Sequence, residues 1–396
     1  MAKRTPSTVT EKKEHEVTKI YIQSDHIINS LGCSTESVFD ALTKGHGGLQ
    51  PDAFAWPHVE PFVTSVIDDT IYLDNLRQQS SDFNKLSRFN QLAIYSVIEA
   101  SKKGGIDLAS PQTLFILSTT KGDIDLLSKG NNDVQQELYL WHSAQTICRY
   151  FGNNGSPIII SNACISGLSA QVVAMRYLKS EQYTHVVLIG VDLITKFVVS
   201  GFQSFKALSH TPCKPFDKTR EGLNIGEAVA TLILTRGDEP EYTGQVSIEK
   251  AVITNDANHI SGPSRTGEGL FQAIEKVMRG TSAENLSFIN AHGTATLYND
   301  EMEAIAFERS DLLHVPVNSF KGYFGHTLGA AGVVETIISA QCLNKQLILP
   351  SLGFEKLGVT SPLMIAQRLT KSLRPECLKT ASGFGGCNAA IRLKMN

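Results

Sequence analysis

The sequence predicts a layered α/β protein built on a mixed, mostly buried sheet. Three observations carry this expectation. The chain has 396 residues, more than one growing hydrophobic core usually supports. Short β-branched apolar runs alternate with helical stretches, which is the pattern of helices packed on sheets. The same alternation returns after a turn-rich stretch, GDEPEYTG, near residues 237–244. Two halves of similar build are expected, residues 17–240 and 241–396, although no residue-level repeat relates them. Residues 1–16, MAKRTPSTVTEKKEHE, read as a polar disordered tail.

In the first half KIYIQ from Lys19 reads as a strand and STESVFDALTKG as a helix. TLFILSTT is a strand, DVQQELYLWHSAQTICRYFG a helix, PIIIS a strand leading into a helix that runs to about Lys179, and HVVLIGVD a strand. The strands are apolar on both faces, as buried ones are. In the second half GEGLFQAIEKVMRG, NDEMEAIAFERS and TLGAAGVVETIISAQCLNKQ are helical, and LSFINAHG and HVPVNS extended. The chain closes with KTASGFGGCNAAIRL, two strand-like runs around a bend in which Gly383, Gly385 and Gly386 let backbone amides approach a ligand.

Composition narrows the function. Hydrophobic residues make up 42% and charged residues 19%, with a formal net charge of −3, so wholesale nucleic-acid binding is not expected. The seven cysteines are widely spaced, odd in number and without a CxxC pair. That fits neither a disulfide framework nor a zinc site and favours a reducing, cytoplasmic setting. The N-terminal residues lack the apolar segment of a signal peptide. The longest uncharged stretch, Tyr150 to Met175, holds Asn153, Asn154, Pro157, Ser161 and Asn162, and reads as a buried element rather than a membrane span.

Candidate chemistry lies at strand ends. Cys164 falls between the strand Ile158-Ile159-Ile160 and a small-residue segment able to start a helix. The amides and dipole at a helix N-terminus favour thiolate over thiol, so a pKa drawn toward neutrality is expected. His292 follows a strand in Ile289-Asn290-Ala291-His292-Gly293, and His326 follows another in a Gly325-His326 pair. Sites gather at the carboxyl ends of strands in layered α/β folds. No third metal ligand at suitable spacing accompanies these histidines, so they are read as neutral donors. Glu303, in the helix after His292, is a candidate ion-pair partner for Lys321.

Together these segments resemble the β-ketoacyl-[acyl-carrier-protein] synthases, the elongating condensing enzymes of the thiolase-like superfamily. The ordered motifs are Asn162-Ala163-Cys164; Ser200-Gly201-Phe202 with Ala207-Leu208-Ser209; Pro215-Phe216-Asp217 with Arg220, Gly222, Gly226 and Glu227; His292-Gly293-Thr294 with Asn299-Asp300 and Glu303; Asn318-Ser319 with Lys321; Gly325-His326 with Gly329-Ala330-Ala331-Gly332; and Gly383-Phe384-Gly385-Gly386 with Asn388. The resemblance covers residues from about Lys19 to Leu393. It implies an αβαβα fold, Cys164 as the acyl-accepting nucleophile, His292 and His326 as the pair driving decarboxylation, and Lys321 with Glu303 as a supporting ion pair. It also implies an oxyanion hole from the amides of Cys164 and Phe384, Phe384 as a gate, and Phe202, Thr294, Thr296 and Gly385 as substrate-binding residues. No metal or redox cofactor is implied. The implied partner is an acidic acyl carrier protein bearing acyl and malonyl thioesters, with Lys206, Lys214, Lys218 and Arg220 as docking candidates. Similar enzymes dimerise, with themselves or with a related subunit, across an edge strand expected here at His185 to Asp192.

Three positions depart from the commonest pattern of that family. Ser166 stands in place of Thr, Ala295 interrupts His-Gly-Thr-Gly-Thr, and Cys387 follows Gly-Phe-Gly-Gly where Thr is usual. The resemblance implies decarboxylative condensation in fatty acid or specialised polyketide or polyene synthesis, and the departures point to a specialised pathway, such as polyene or secondary-lipid synthesis, rather than housekeeping fatty acid elongation. Two rivals share the resemblance: a non-catalytic chain-length-factor partner, which usually lacks the nucleophile, and a thiolase, which uses a second cysteine near the C-terminal glycine loop.

Overall fold

A computed structural model describes residues 18–51, 54, 56–129, 136–237 and 244–396. The expected tail at 1–16, the centre of the turn at 238–243 and the start of the helix expected from Asp133 lie outside the described residues.

Among the described residues ten strands form the main sheet: β1 (Lys19–Asn29), β2 (Thr113–Ser118), β3 (Ile158–Ile160), β4 (His185–Asp192), β5 (Ala228–Gly237), β6 (Val246–Asn255), β7 (Leu286–Asn290), β8 (Val317–Asn318), β9 (Glu376–Gly383) and β10 (Cys387–Met395). Their spatial order is β8-β7-β9-β10-β6-β1-β5-β4-β2-β3. Read from each outer edge, the first half runs 3-2-4-5-1 and the second 8-7-9-10-6, the same topology displaced by five strands. The pairing repeats as well. β2 is parallel to β3 and β4, while β4–β5 and β5–β1 are antiparallel; β7 is parallel to β8 and β9, while β9–β10 and β10–β6 are antiparallel. The halves meet where Tyr21 of β1 pairs with Ser247 of β6. The duplication is therefore one of topology, which a search for repeated residues does not find.

The helices bearing on the site are α1 (Arg88–Gly104), α2 (Leu140–Tyr150), α3 (Ser166–Lys179), α4 (Lys196–Ser204), α5 (Glu268–Met278), α6 (Leu297–Arg309) and α7 (Ala331–Asn344). Strand alternation sorts the apolar side chains into layers. Leu114, Ile116 and Leu188 face an inner core with Leu168 and Met175 of α3 and Val333 and Ile337 of α7. Phe115, Leu117, Val187 and Ile189 face the other way, onto Leu92 and Val97 of α1. In the second half Ile289 packs with Ile274 of α5 and Phe307 of α6. Helix, sheet, helix pair, sheet and helix follow one another, the αβαβα arrangement the resemblance implied. Because β2 and β4 are covered on both sides, their sequences, TLFILS and HVVLIGVD, are near-continuous apolar runs.

α3 and α7 form the central layer and touch through glycines. A Cβ on Gly167 would lie 2.7 Å from Val333 N, and one on Gly332 would lie 2.5 Å from Leu168 N. Gln171 Nε2 donates to the carbonyls of Gly167 and Gly332 across this contact. The expected edge strand is corrected: β4 is paired on both sides, to β2 and β5. β5 was not foreseen, and it takes the antiparallel side of β4. The edge of the first half is β3, whose three isoleucines are each half-buried.

Candidate active site

Cys164 sits on the turn from β3 into α3. Ala163 before it adopts a left-handed φ of 45°, and the Ser166 hydroxyl closes the turn by donating to Ala163 O while accepting from Asn162 N. Such backbone strain in a non-glycine residue is held only where the surroundings over-determine it. His292 follows β7, and His326 follows β8 after the one-turn helix Lys321–Phe324. By the repeat, the loops after β3 and β8 are equivalent, as are those after β2 and β7. Three of these four strand ends deliver Cys164, His326 and His292.

Their reactive atoms converge. Cys164 Sγ and one ring nitrogen of each histidine lie within 4.8 Å of one another, and all three residues are buried. The rings stand at 86° with centroids 5.1 Å apart. Cys164 is thus the third soft ligand that sequence spacing did not offer, and the trio has the ligand types zinc takes. His326 Nδ1 accepts the Leu328 N–H at 3.3 Å, an N–H aimed by the left-handed φ of 51° at Leu328. That bond places the proton of a neutral ring on Nε2, which is buried without a partner. His292 Nδ1 is likewise buried and unpartnered. Burial first, then the Lys321 ammonium, holds both imidazoles well below the ordinary histidine range. They are neutral at physiological pH.

The thiol corrects an expectation. Burial pushes Cys164 up to about 11, with Lys321 and the amides of Cys164 and Phe384 pulling it down against burial and Asp192. The amides are in place, but desolvation of the thiolate outweighs them. The close approach of Gly383, whose Cβ would stand 3.2 Å from Cys164 N, brings the Phe384 amide to the sulfur.

The ion pair expected between Lys321 and Glu303 is also corrected. Lys321 Nζ lies 2.8 Å from Glu335 of α7 and donates to His292 O at 2.5 Å. Lys379 Nζ lies 2.6 Å from the other oxygen of Glu335. Burial works against the Glu335 carboxylate, but Lys321 and Lys379 hold it below the usual range. Glu303 instead accepts the amides of His292 and Gly293 at 2.7 and 2.6 Å, with Asn299 Nδ2 at 2.9 Å. Burial and neighbouring Asp300 push it up to about 7. The backbone of His292 is therefore gripped at N–H by Glu303 and at C=O by Lys321. Glu335 and Lys379 were missed; Glu335 is the lone charge in an apolar segment, AGVVETIISAQCLN, which is the mark of a buried, partnered group, whereas Lys379 shares ECLKTASG with Glu376.

Two cavities meet at Cys164. One, of about 420 Å³, is lined by Cys164, His292, His326, Thr294, Thr296 and Lys206 among others. The second, of about 780 Å³, runs past Cys164 between Phe197, Val198, Phe202, Leu328 and Phe384. Phe202, Phe205 and Phe384 border both. Phe384 stacks on Phe202 at 5.9 Å and stands edge-on to Phe205 at 5.5 Å, so this aromatic cluster is the partition. Thr294 and Thr296 share a 2.9 Å hydrogen bond on the first cavity's wall. Gly385 lines neither cavity: at the tip of the β9–β10 hairpin it donates to Ile260 O and accepts from Asn255 Nδ2, which corrects its expected contact with substrate. Cys387 also lines neither. Of the basic docking candidates, Lys206 and Lys218 are exposed and Lys214 lies 3.8 Å from Glu355. Arg220 is buried against Asp300 and the carbonyls of Asp217 and Gly358, and so is unavailable for docking.

The family model described as β-ketoacyl synthase, N-terminal domain, matches residues 57–239, and that of the C-terminal domain matches 246–355. The chain belongs to the β-ketoacyl synthase family. Among its relatives, 3-oxoacyl-[acyl-carrier-protein] synthase 2 of Vibrio cholerae is 25% identical, covering 95% of this chain and 99% of its own. The ketoacyl synthase alpha subunit of the tetracenomycin polyketide synthase of Streptomyces glaucescens is 26% identical over 91% and 93%. A ketosynthase from Xenorhabdus doucetiae, solved in complex with its chain length factor, superposes with a TM-score of 0.85 at 24% identity, covering 96% of this synthase and 98% of that chain. Among the described residues of the synthase, no helix is long and apolar enough to cross a membrane.

Proposed function

We propose that the synthase joins an acyl group carried on Cys164 to a malonyl unit on an acyl carrier protein, releasing carbon dioxide and a 3-oxoacyl carrier thioester. The observation that carries this reading is the convergence of one sulfur and two neutral imidazoles within 4.8 Å, with two peptide amides directed at the sulfur. Cys164 attacks the incoming thioester and its carbonyl oxygen takes up the amides of Cys164 and Phe384. The thiol proton leaves in this step, and the carrier thiol departs with a proton. The malonyl thioester then enters through the cavity lined by Thr294 and Thr296. Loss of its carboxylate puts charge on the thioester oxygen, and His326 Nε2–H with the His292 ring stabilises that enolate. The enolate carbon attacks the acyl-Cys164 carbonyl, and the sulfur leaves.

Lys321, Glu335 and Glu303 are positioning residues that fix the His292 backbone. Phe384 divides the carrier-arm cavity from the acyl cavity and has to turn aside for the chain to pass. Lys206, exposed on the rim, supports docking of an acidic carrier protein there. The half-exposed edge strand β3 supports pairing with a second subunit of the same fold. An intact Cys164 weighs against a chain-length-factor role, and the absence of Cys387 from both cavities weighs against thiolase chemistry.

The test is intact-mass analysis with octanoyl- and malonyl-carrier protein. Wild type gains the octanoyl mass on Cys164 and forms the extended 3-oxo product. Cys164→Ala takes up no acyl group, whereas His326→Ala is acylated but loses decarboxylation by about 10²-fold or more, the scale of removing one oxyanion donor. Acylation that persists in Cys164→Ala would overturn the assignment.

A further inference from the structure

One buried cation beside the nucleophile has no part in the condensation. Lys121 follows β2, at the strand end equivalent to the one that carries His292. It lines the 780 Å³ cavity together with Cys164, and its side chain is 4% exposed. Among the described residues its ammonium makes one hydrogen bond, at 2.6 Å to Asp192 Oδ1. An ammonium has three N–H donors, so two are left without an acceptor among the described residues.

Asp192 does not require the lysine for its own hydrogen bonding. Its carboxylate also accepts from Thr119 Oγ1, Thr120 N, Thr120 Oγ1 and Gly329 N. The remaining wall is mostly apolar, with Phe197, Val198, Phe202, Leu328 and Phe384; Thr120, Lys196 and Ser200 also line it, and of these Lys196 and Ser200 are exposed, so Lys121 is its buried cation. A wall meant for a saturated hydrocarbon gains nothing from a buried ammonium with spare donors, since burying such a group costs free energy unless it is paired and hydrogen-bonded. The spare donors need acceptors, and the cavity is where the acyl chain lies.

We infer that Lys121 makes the synthase select acyl chains bearing an oxygen acceptor, a ketone or carboxylate, over hydrocarbon chains of the same length. This rests on the condensing role proposed above. The acceptor takes an N–H of Lys121 while the ion pair to Asp192 holds the ammonium in place.

The experiment compares octanoyl-carrier protein with its oxo- and ω-carboxy-octanoyl counterparts, following loading of Cys164 and product formation by intact mass. Wild type loads at least one oxygenated chain with a kcat/KM about tenfold or more above octanoyl, the scale of a hydrogen bond to a charged group. The double variant Lys121→Met with Asp192→Asn removes both charges together and brings that ratio to within about twofold, whatever its absolute rates, and Lys121→Arg retains the preference. Wild-type loading of octanoyl as fast as every oxygenated chain overturns the inference and leaves the condensing role intact. Failure of every chain to load Cys164 overturns both.

Discussion

At the scale of single residues, the competition at Cys164 has a direct readout. Burial raises the thiol from 9.0 to about 11, so the resting enzyme holds a neutral thiol below pH 9 and loses it only as pH climbs through 11. Alkylation of Cys164 by iodoacetamide should therefore rise close to tenfold per pH unit from pH 7 to about pH 10, because the thiolate is the reactive form. A plateau near neutrality would show the amides prevailing over desolvation. Glu335 is equally exposed to test. Glu335→Gln leaves Lys321 and Lys379 buried without their shared carboxylate, and breaking a buried pair this way costs about 3–5 kcal/mol. The fall should appear as a lower midpoint in urea unfolding, and an unchanged midpoint would refute the pairing. Both points mark where sequence stops. The positions of Cys164, His292 and His326 were legible because glycines and strand runs beside them are local signals. The partner of Lys321 was not, because Glu335 reaches it from a buried helix, nor was the sign of the thiol shift, which depends on enclosure.

Elements translate those residues into geometry. The contact of α3 with α7 fixes the distance between the Cys164 loop and the His326 loop, since α3 begins two residues after Cys164 and α7 five after His326. Gly332→Ala forces a methyl group to within 2.5 Å of Leu168 N, and overpacking of this kind costs about 1–3 kcal/mol. Condensation should fall further than stability does, with acylation of Cys164 retained and decarboxylation reduced; equal losses in both half-reactions would show that the contact only supports the fold. The strands were readable as apolar runs, but an apolar run does not disclose its neighbours. The edge expected at β4 lies inside the sheet because β5, AVATLILTRG, pairs with its other side, and the outward position falls to the three-residue β3. Ala295 carries a φ of 63° where the family pattern has glycine, so a departure visible in sequence becomes a strained backbone in space.

For the whole molecule, one end of the ten-stranded sheet is β3, whose outer side has no partner strand among the described residues. An unpaired edge invites a strand from a second copy, and sedimentation equilibrium should return about twice the 43.2 kDa of one chain. A mass of one chain at high micromolar concentration would contradict that pairing. The repeated topology has a further consequence. It gathers four strand ends around one site, three of them followed by Cys164, His292 and His326 and the fourth by Lys121. The selection proposed for Lys121 places substrate choice at a corner separate from the three that the proposed reaction uses, so a duplicated scaffold of this kind offers a place where new specificities can arise.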